Sequence, residues 1–276
     1  MSKDNEHENH GQNVSDEERM RHSASHILAA AVLKVFPDAK LGIGPAIDDG
    51  FYYDFDLPRP LKEEDLDVIE KEMREIVKKD LPFTQKLYKR EDLIEKYEEM
   101  DQGYKLDLIE DIPDKELSVF ITGEDEFLDL CRGPHVKSTK EIGAFKLDRI
   151  AGAYWRGDEK KPMLQRIYGL AFPTQKELDE YVEHREELRM VDHRRLGKVM
   201  DLFSFHEQSP GNIFWHPKGL EIMQRMIDYW RDIHRKDGYE EVRTPVFLTI
   251  DTWEQSGHMQ NFKDKMYMAK PFDSKK

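Results

Sequence analysis

Cys131 is the only cysteine among 276 residues, and it lies in the run Asp129-Leu130-Cys131-Arg132-Gly133-Pro134-His135, with a histidine four positions on and a Gly-Pro bend between them. Far upstream, His22 and His26 stand at i and i+4, a spacing that puts both imidazoles on one face of a helix. A His-x-x-x-His pair and a Cys-x-x-x-His pair supply four groups able to converge on one small site. Taken singly, a free cysteine is most often a small buried hydrophobe, and a lone histidine a satisfied core or surface residue. All four at paired spacing point instead to a shared site. Three imidazoles and a thiol are acceptable tetrahedral zinc ligands. The same groups can position a water without a metal, and a neighbouring histidine can lower the pKa of Cys131 and make it a nucleophile. Spacing does not decide among these.

The helix carrying His22 and His26 is expected to open at Ser15, which forms a capping box with Glu18, and to run to about Phe36, where Pro37 stops it. Its main apolar stripe is Ala24, Ile27, Leu28, Ala31 and Val35. The two histidines lie on the other side beside Ala29, Ala30 and Leu33, a small apolar face suited to a pocket wall. A glycine-punctuated segment, Leu41 to Ile47, leads into an alternating aromatic and acidic strand, Gly50 to Asp56. A helix is expected at 62–79, then a strand near Phe83 to Tyr88, a short helix from Arg90 to Met100 and a strand from Tyr104 to Ile109 carrying Lys105. Residues 118–130 read as a hairpin turning at Thr122-Gly123-Glu124-Asp125. A strand near 142–147 and a hairpin from Ala153 to Phe172 complete an α+β fold with a mixed, mainly antiparallel sheet and helices.

Thr174 and Glu177 form a second capping box, opening a long charged helix to about Leu196 that suits a connector between domains. Beyond it the texture turns aromatic and proline-punctuated, with a helix expected at about 218–237 and a strand from Tyr239 to Thr244. The chain thus divides into a polar lead-in at 1–14, expected to be disordered with His7 and His10 solvated, a domain at 15–173, a connector at 174–198 and a further segment at 199–276.

A single cysteine excludes an internal disulfide and fits a reducing compartment. The apolar run Ile27 to Leu33 is far too short to span a bilayer, so a soluble, cytoplasmic protein without a membrane partner is expected. The net charge of −14 argues at first sight against nucleic acid, but it is unevenly spread. Residues 1–129 carry 17 basic and 34 acidic groups, whereas residues 130–170 carry 9 and 4. Arg132, Lys137, Arg156 and Arg166, with the lysines among them, are placed to line a path for a phosphate backbone; a solvated hairpin surface is an equally good reading of charge alone.

Several of these segments resemble the editing domain of bacterial threonyl-tRNA synthetases: Arg21-His22-Ser23-Ala24-Ser25-His26, Ile43-Gly44-Pro45 with Gly50-Phe51-Tyr52-Tyr53-Asp54, the Cys131 run, Gly152-Ala153-Tyr154-Trp155-Arg156-Gly157-Asp158 and Gln165-Arg166-Ile167-Tyr168-Gly169. Asp192-His193-Arg194-Arg195-Leu196-Gly197, Trp215-His216-Pro217-Lys218-Gly219 and Gly238-Tyr239-Glu240-Glu241-Val242-Arg243-Thr244-Pro245 look like the opening of the class II catalytic domain of the same enzymes, with its motif 1. The resemblance spans about residues 18–268. It implies threonine-specific tRNA as partner, a homodimer for the full-length family and no role for DNA. The family usually begins with a ubiquitin-like domain and continues through motifs 2 and 3, a zinc site and an anticodon-binding domain. ATP, Mg and that zinc belong to such a full-length enzyme, so this chain is expected to be unable to aminoacylate tRNA.

A synthetic site built for threonine meets serine, and the missing methyl is worth only about 1–3 kcal/mol. A second, hydrolytic site that admits serine and refuses the methyl is therefore needed, with Ala29 and Ala30 the expected wall. The resemblance implies His22, His26, Lys105, Cys131 and His135 for the chemistry, with Tyr53 and Asp129 binding substrate. In that reading Lys105 and one histidine orient the water and terminal ribose, Asp129 or His135 recognises the serine ammonium and hydroxyl, and Cys131 positions rather than attacks. It implies no metal for editing, and the alternative is zinc on His22, His26, Cys131 and His135, as in the related alanyl-type domain. The alternative function is a non-catalytic module that binds the tRNA acceptor end or a partner.

Overall fold

The computed structural model describes residues 14–124 and 126–269, so His7, His10, nearly all of the lead-in and Asp125 of the expected turn lie outside the described residues. The chain forms two compact units, one up to Arg189 and one from Met190 onward.

The first unit is built around α1, Asp16–Val35, which opens where the Ser15 side chain accepts the Glu18 N–H at 3.1 Å and three acidic residues face the positive end of the helix dipole. The whole stretch from Ser23 to Val32 is buried, so α1 has no solvent face along its middle and is a central rather than a surface helix. After β1 (Lys40–Leu41), β2 (Ala46–Ile47) and β3 (Gly50–Asp56) comes α2 (Glu63–Lys78), whose Leu66, Ile69, Met73 and Ile76 form the apolar stripe that packs on α1. Then follow β4 (Phe83–Lys89), α3 (Arg90–Glu99), α4 (Gly103–Glu110), β5 (Glu116–Thr122), β6 (Phe127–Leu130), β7 (Ala144–Tyr154), β8 (Met163–Phe172) and α5 (Gln175–Met190).

The strands make two antiparallel sheets rather than one, ordered β1-β3-β8-β7 with β2 on β3, and β4-β5-β6. Strand alternation puts Phe51, Tyr53 and Phe55 into the core shared with α1 and α2, together with Ile167 and Ala171 of β8. A smaller core under the second sheet holds Leu93, Tyr97, Ile109, Val119 and Ile121. The α+β class and the hairpins stand as the sequence suggests.

Four expectations differ. The strand expected near 142–147 and the first arm of the hairpin expected from Ala153 are one strand, β7, paired with β8 along its length. Residues 104–109 are helical: the alternation of Tyr104, Leu106 and Leu108 mimics a strand, yet the buried residues are Lys105 and Ile109, four apart on one helical face. The charged helix stops at Met190 and a new one, α6 (His193–Val199), starts where the Asp192 side chain accepts the Arg194 N–H, so the run to Leu196 is broken. Residues 239–244 form no strand; they have no pairing partner among the described residues, and a strand needs one to satisfy its backbone groups.

The second unit continues with β9 (Phe203–Ser204) paired to β10 (Phe214–Trp215), then α7 (Pro217–Lys236), α8 (Ile250–Gln255) and α9 (His258–Asn261). Among its described residues only Gly197 and Gly219 are buried. No helix among the described residues is long and apolar enough to cross a membrane.

Candidate active site

The site lies in the first unit, where α1, α4, β3 and the segment after β6 meet. α1 presents His22 and His26 one turn apart. The β5–β6 hairpin delivers Asp129 and Cys131, and the chain then turns back through Gly133 to return His135 to the same spot. Gly133 has φ 73°, and a Cβ there would stand 2.8 Å from the Phe120 ring, so only glycine makes this turn without strain. The Cys131 Sγ lies 3.3 Å from His22 Nε2 and 3.3 Å from His135 Nε2. One ligand-type atom from each of His22, His26, Cys131 and His135 falls within 4.8 Å of all the others, so the four groups do converge.

Deeper in, the Tyr53 hydroxyl donates to Asp129 Oδ2 at 2.6 Å, Lys105 Nζ donates to the Tyr53 oxygen at 3.0 Å, and the same Nζ forms an ion pair with Asp129 Oδ1 at 2.5 Å. His26 Nε2 stands 3.7 Å from the same carboxylate. All four side chains are buried, so an ion pair and its phenol bridge are held almost free of water. Burial keeps all three imidazoles neutral: it lowers the pKa of His22, lowers that of His26 further with help from His22 and Lys105, and drives that of His135 far down. Burial also pushes the Cys131 thiol up to about 12, against the pull of the Gly133 N–H, so the sulfur is a thiol at neutral pH. Tyr53 is raised well above its ordinary value by desolvation and the adjoining Asp129, which keeps its proton on oxygen.

These groups border a pit of about 200 Å³ lined by His22, His26, Lys105, Asp129 and Cys131, with Ile43, Gly44, Pro45, Leu108 and Leu130 as its apolar wall. Ala29 and Ala30, expected to form that wall, are instead packed in the core, because α1 is enclosed on every side and its small face meets protein rather than substrate. The 43–45 loop takes their place. The backbone of β3 holds it through Gly42 N–H to Asp54 O at 2.8 Å and Asp54 N–H to Ile43 O at 2.9 Å, while the Ser25 hydroxyl donates to Gly44 O at 2.6 Å. A Cβ on Gly44 would stand 2.0 Å from the Tyr53 ring, so the loop lies on that ring only because residue 44 is glycine.

The basic residues divide. Arg166 is held by both oxygens of Asp54, at 2.6 and 2.9 Å, and its guanidinium lies 3.8 Å over the Tyr52 ring. Arg156 is bound by Asp111 at 2.6 Å and Asp107 at 3.4 Å. Arg132, which approaches Asp114 at 3.4 Å, is exposed, and Lys137 borders a cleft beside His135.

A zinc ion suits the donor set. Zn–N bonds of about 2.0–2.1 Å and Zn–S of about 2.3 Å give a tetrahedron with N···S edges near 3.5 Å, close to the 3.3 Å distances at Cys131. The buried Nδ1 of His26 also lacks a hydrogen-bond partner. The four residues thus supply a donor set that could hold the metal, with the two Cys131 edges at zinc-like length.

Residues 118–168, which include Asp129, Cys131 and His135, match the family described as the threonyl and alanyl tRNA synthetase second additional domain. The antiparallel α+β unit and its buried His/Cys pit surround this matched segment, so the first unit is similar to the additional domain of these aminoacyl-tRNA synthetases. The chain is 50% identical over 251 residues to the threonine–tRNA ligase of Desulforamulus reducens, covering 91% of this chain and 39% of that protein. It is 50% identical over 249 residues to that of Caldanaerobacter subterraneus subsp. tengcongensis, covering 90% and 38%, and 48% identical over 251 residues to that of Clostridium acetobutylicum, covering 91% and 39%. Over about nine-tenths of its length the chain is similar to these bacterial threonine–tRNA ligases, and it spans about two-fifths of the length of the relatives it matches.

Proposed function

We propose that the pit is an editing site that hydrolyses serine esterified to threonine-specific tRNA. The reading is carried by one observation: the buried Asp129–Lys105–Tyr53 cluster closes a small pit whose sides hold neutral His22, neutral His26 and a protonated thiol. An aminoacyl ester is already activated, so positioning and charge stabilisation suffice. The carboxylate of Asp129 attracts the substrate ammonium, and Lys105 and His22 orient the water and the terminal ribose. The water oxygen bonds to the ester carbonyl carbon as an imidazole takes its proton; the carbon–oxygen bond to the ribose then breaks and the ribose oxygen leaves with a proton. Cys131 positions its neighbours rather than attacking, since its thiol keeps its proton. A zinc ion on His22, His26, Cys131 and His135 would add Lewis-acid polarisation.

The 43–45 loop supplies the selectivity. Tied to the β3 backbone through the Ile43 and Pro45 carbonyls and the adjoining Gly42 N–H, and to Ser25 through Gly44, it resists the displacement that the extra methyl of threonine requires. The acceptor end of the tRNA reaches the pit past Arg132 and Lys137, the two expected contacts with free or weakly held charge.

The test is deacylation of threonine-specific tRNA charged with serine or with threonine, with and without a chelator. Serine release that survives the chelator, with threonyl-tRNA spared, is the expected result. No release from either substrate while the tRNA stays bound would leave a binding module.

A further inference from the structure

Ser23 is fully buried on α1, and its hydroxyl has three partners. It donates to the Arg19 carbonyl at 2.8 Å and accepts the Val136 N–H at 3.0 Å. The third partner is His135 Nδ1, also at 3.0 Å. A hydroxyl carries one hydrogen, and Ser23 uses it on Arg19, which has no proton to give. The contact with His135 therefore needs the hydrogen on Nδ1. A neutral imidazole has a single N–H, so His135 Nε2 is left as a bare lone pair. That lone pair faces Cys131 Sγ at 3.3 Å, and the sulfur meanwhile accepts the Gly133 N–H at 3.2 Å. The thiol hydrogen thus goes to His135. His22 Nε2 lies 3.3 Å from the same sulfur but, with the thiol hydrogen on His135, receives none from it, and His22 lines the pit whereas His135 does not.

We propose that Ser23 is a positioning residue of the hydrolysis: its hydroxyl fixes His135 in the Nδ1–H form, directs the Cys131 proton to His135, and thereby leaves His22 as the imidazole that receives the proton of the attacking water. This rests on the editing reading above. A merely structural Ser23 would tether Val136 to α1 and leave the histidine tautomers where they are, so the tautomers separate the two roles.

The experiment uses the full chain with ¹⁵N-labelled histidine. Long-range ¹H–¹⁵N correlation spectra read the protonated nitrogen of each ring, and spectra of His135→Asn and His22→Asn assign the signals. The wild-type spectrum is expected to show His135 protonated at Nδ1 alone. Ser23→Ala should shift His135 toward the Nε2–H form and lower kcat for seryl-tRNA hydrolysis by about 10–100-fold, the usual effect of removing a group that orients a working histidine, with KM little changed. Ser23→Thr, which keeps the hydroxyl, should restore both. A wild-type His135 protonated at Nε2 overturns the proposal without any variant, as does a Ser23→Ala protein whose tautomer or kcat is unchanged. A wild-type chain that releases no serine overturns the editing reading instead, and the spectra then still decide whether Ser23 sets the tautomer.

Discussion

Each of the two units contains a cluster in which histidines meet a serine hydroxyl and a carboxylate. In the first, His22, His26 and His135 surround Cys131, with Ser23 and Asp129 as partners. In the second, Asp201 accepts from His216 Nδ1 at 2.7 Å, and Ser204 lies 2.9 Å from both His216 Nε2 and His206 Nε2. By distance alone the second is the more conventional relay, since carboxylate, imidazole and hydroxyl follow one another as in a serine hydrolase. What separates them is water. The Asp129 and Lys105 side chains are 4% and 2% exposed, whereas the Asp201 side chain is 80% exposed and that of His216 is 30% exposed. A carboxylate in bulk water is solvated as well as it is bonded, so its pull on a neighbour is weak and its geometry is not enforced. Chemistry is expected where the same residue types are sealed off.

The largest effect that sharpens this contrast is on activity. His22→Ala should reduce seryl-tRNA deacylation by about 10²–10⁴-fold, the usual contribution of a positioned acid or base, while His216→Ala leaves it unchanged in the same assay. Equal losses from both variants would break the comparison. Stability gives the next contrast. Asp129→Ala strands the Lys105 ammonium away from bulk solvent, and removing one partner of such a buried pair costs about 3–5 kcal/mol, measurable by urea unfolding of the first unit.

Acid should expose the buried imidazoles. Their folded pKa values are depressed, so in each case the unfolded chain binds the extra proton first. Their contribution is complete above the ordinary value of 6.5 and is lost as pH falls from there toward the folded values. One histidine gives a slope of about 1.4 kcal/mol per pH unit, and three together up to about 4. Melting followed from pH 7 to 5.5 should therefore decline steeply, and His26→Gln with His135→Gln should flatten the decline. A flat profile in the unmodified protein would mean that the three rings are not buried neutral. Gly44→Ala should be milder, about 1–3 kcal/mol for overpacking against the Tyr53 ring, and should lower deacylation by moving the wall of the pit.

How much of this could be read from the residues depends on how far apart the partners lie. His22, His26, Cys131 and His135 are legible because each pair sits four residues apart and the residue types are uncommon. Lys105 is reachable only by resemblance, and its helix reads as a strand because the alternation of Tyr104, Leu106 and Leu108 conceals the Lys105–Ile109 face. Ser23 and Gly44 stand in segments that the resemblance picks out, but their partners are not legible: Ser23 meets His135 across 112 residues, and Gly44 is held by Ser25 across 19 and lies under a ring from β3. Ala29 and Ala30 show the opposite error. Their helical face is plain in the sequence, but α1 is enclosed by α2 and the first sheet, and whether a small apolar face meets substrate or core is set by the tertiary fold.

The smallest effect belongs to the exposed cluster and is the most direct check on the role of water. Asp201 adopts φ 55°, a conformation that asparagine tolerates as well as aspartate, so Asp201→Asn removes the charge without straining the backbone. The pair with His216 is largely solvated, and exposed pairs contribute about 0–1 kcal/mol; unfolding of the variant should shift by no more than that. Half-buried Ser204 should likewise resist a fluorophosphonate probe, because its Asp201 partner is solvated and no donors among the described residues are prearranged for a developing oxyanion. Strong labelling of Ser204, abolished in Asp201→Asn, would show that hydrogen-bond geometry makes a working site even in open water, and burial would then no longer explain why the chemistry is placed at Cys131 and its histidines.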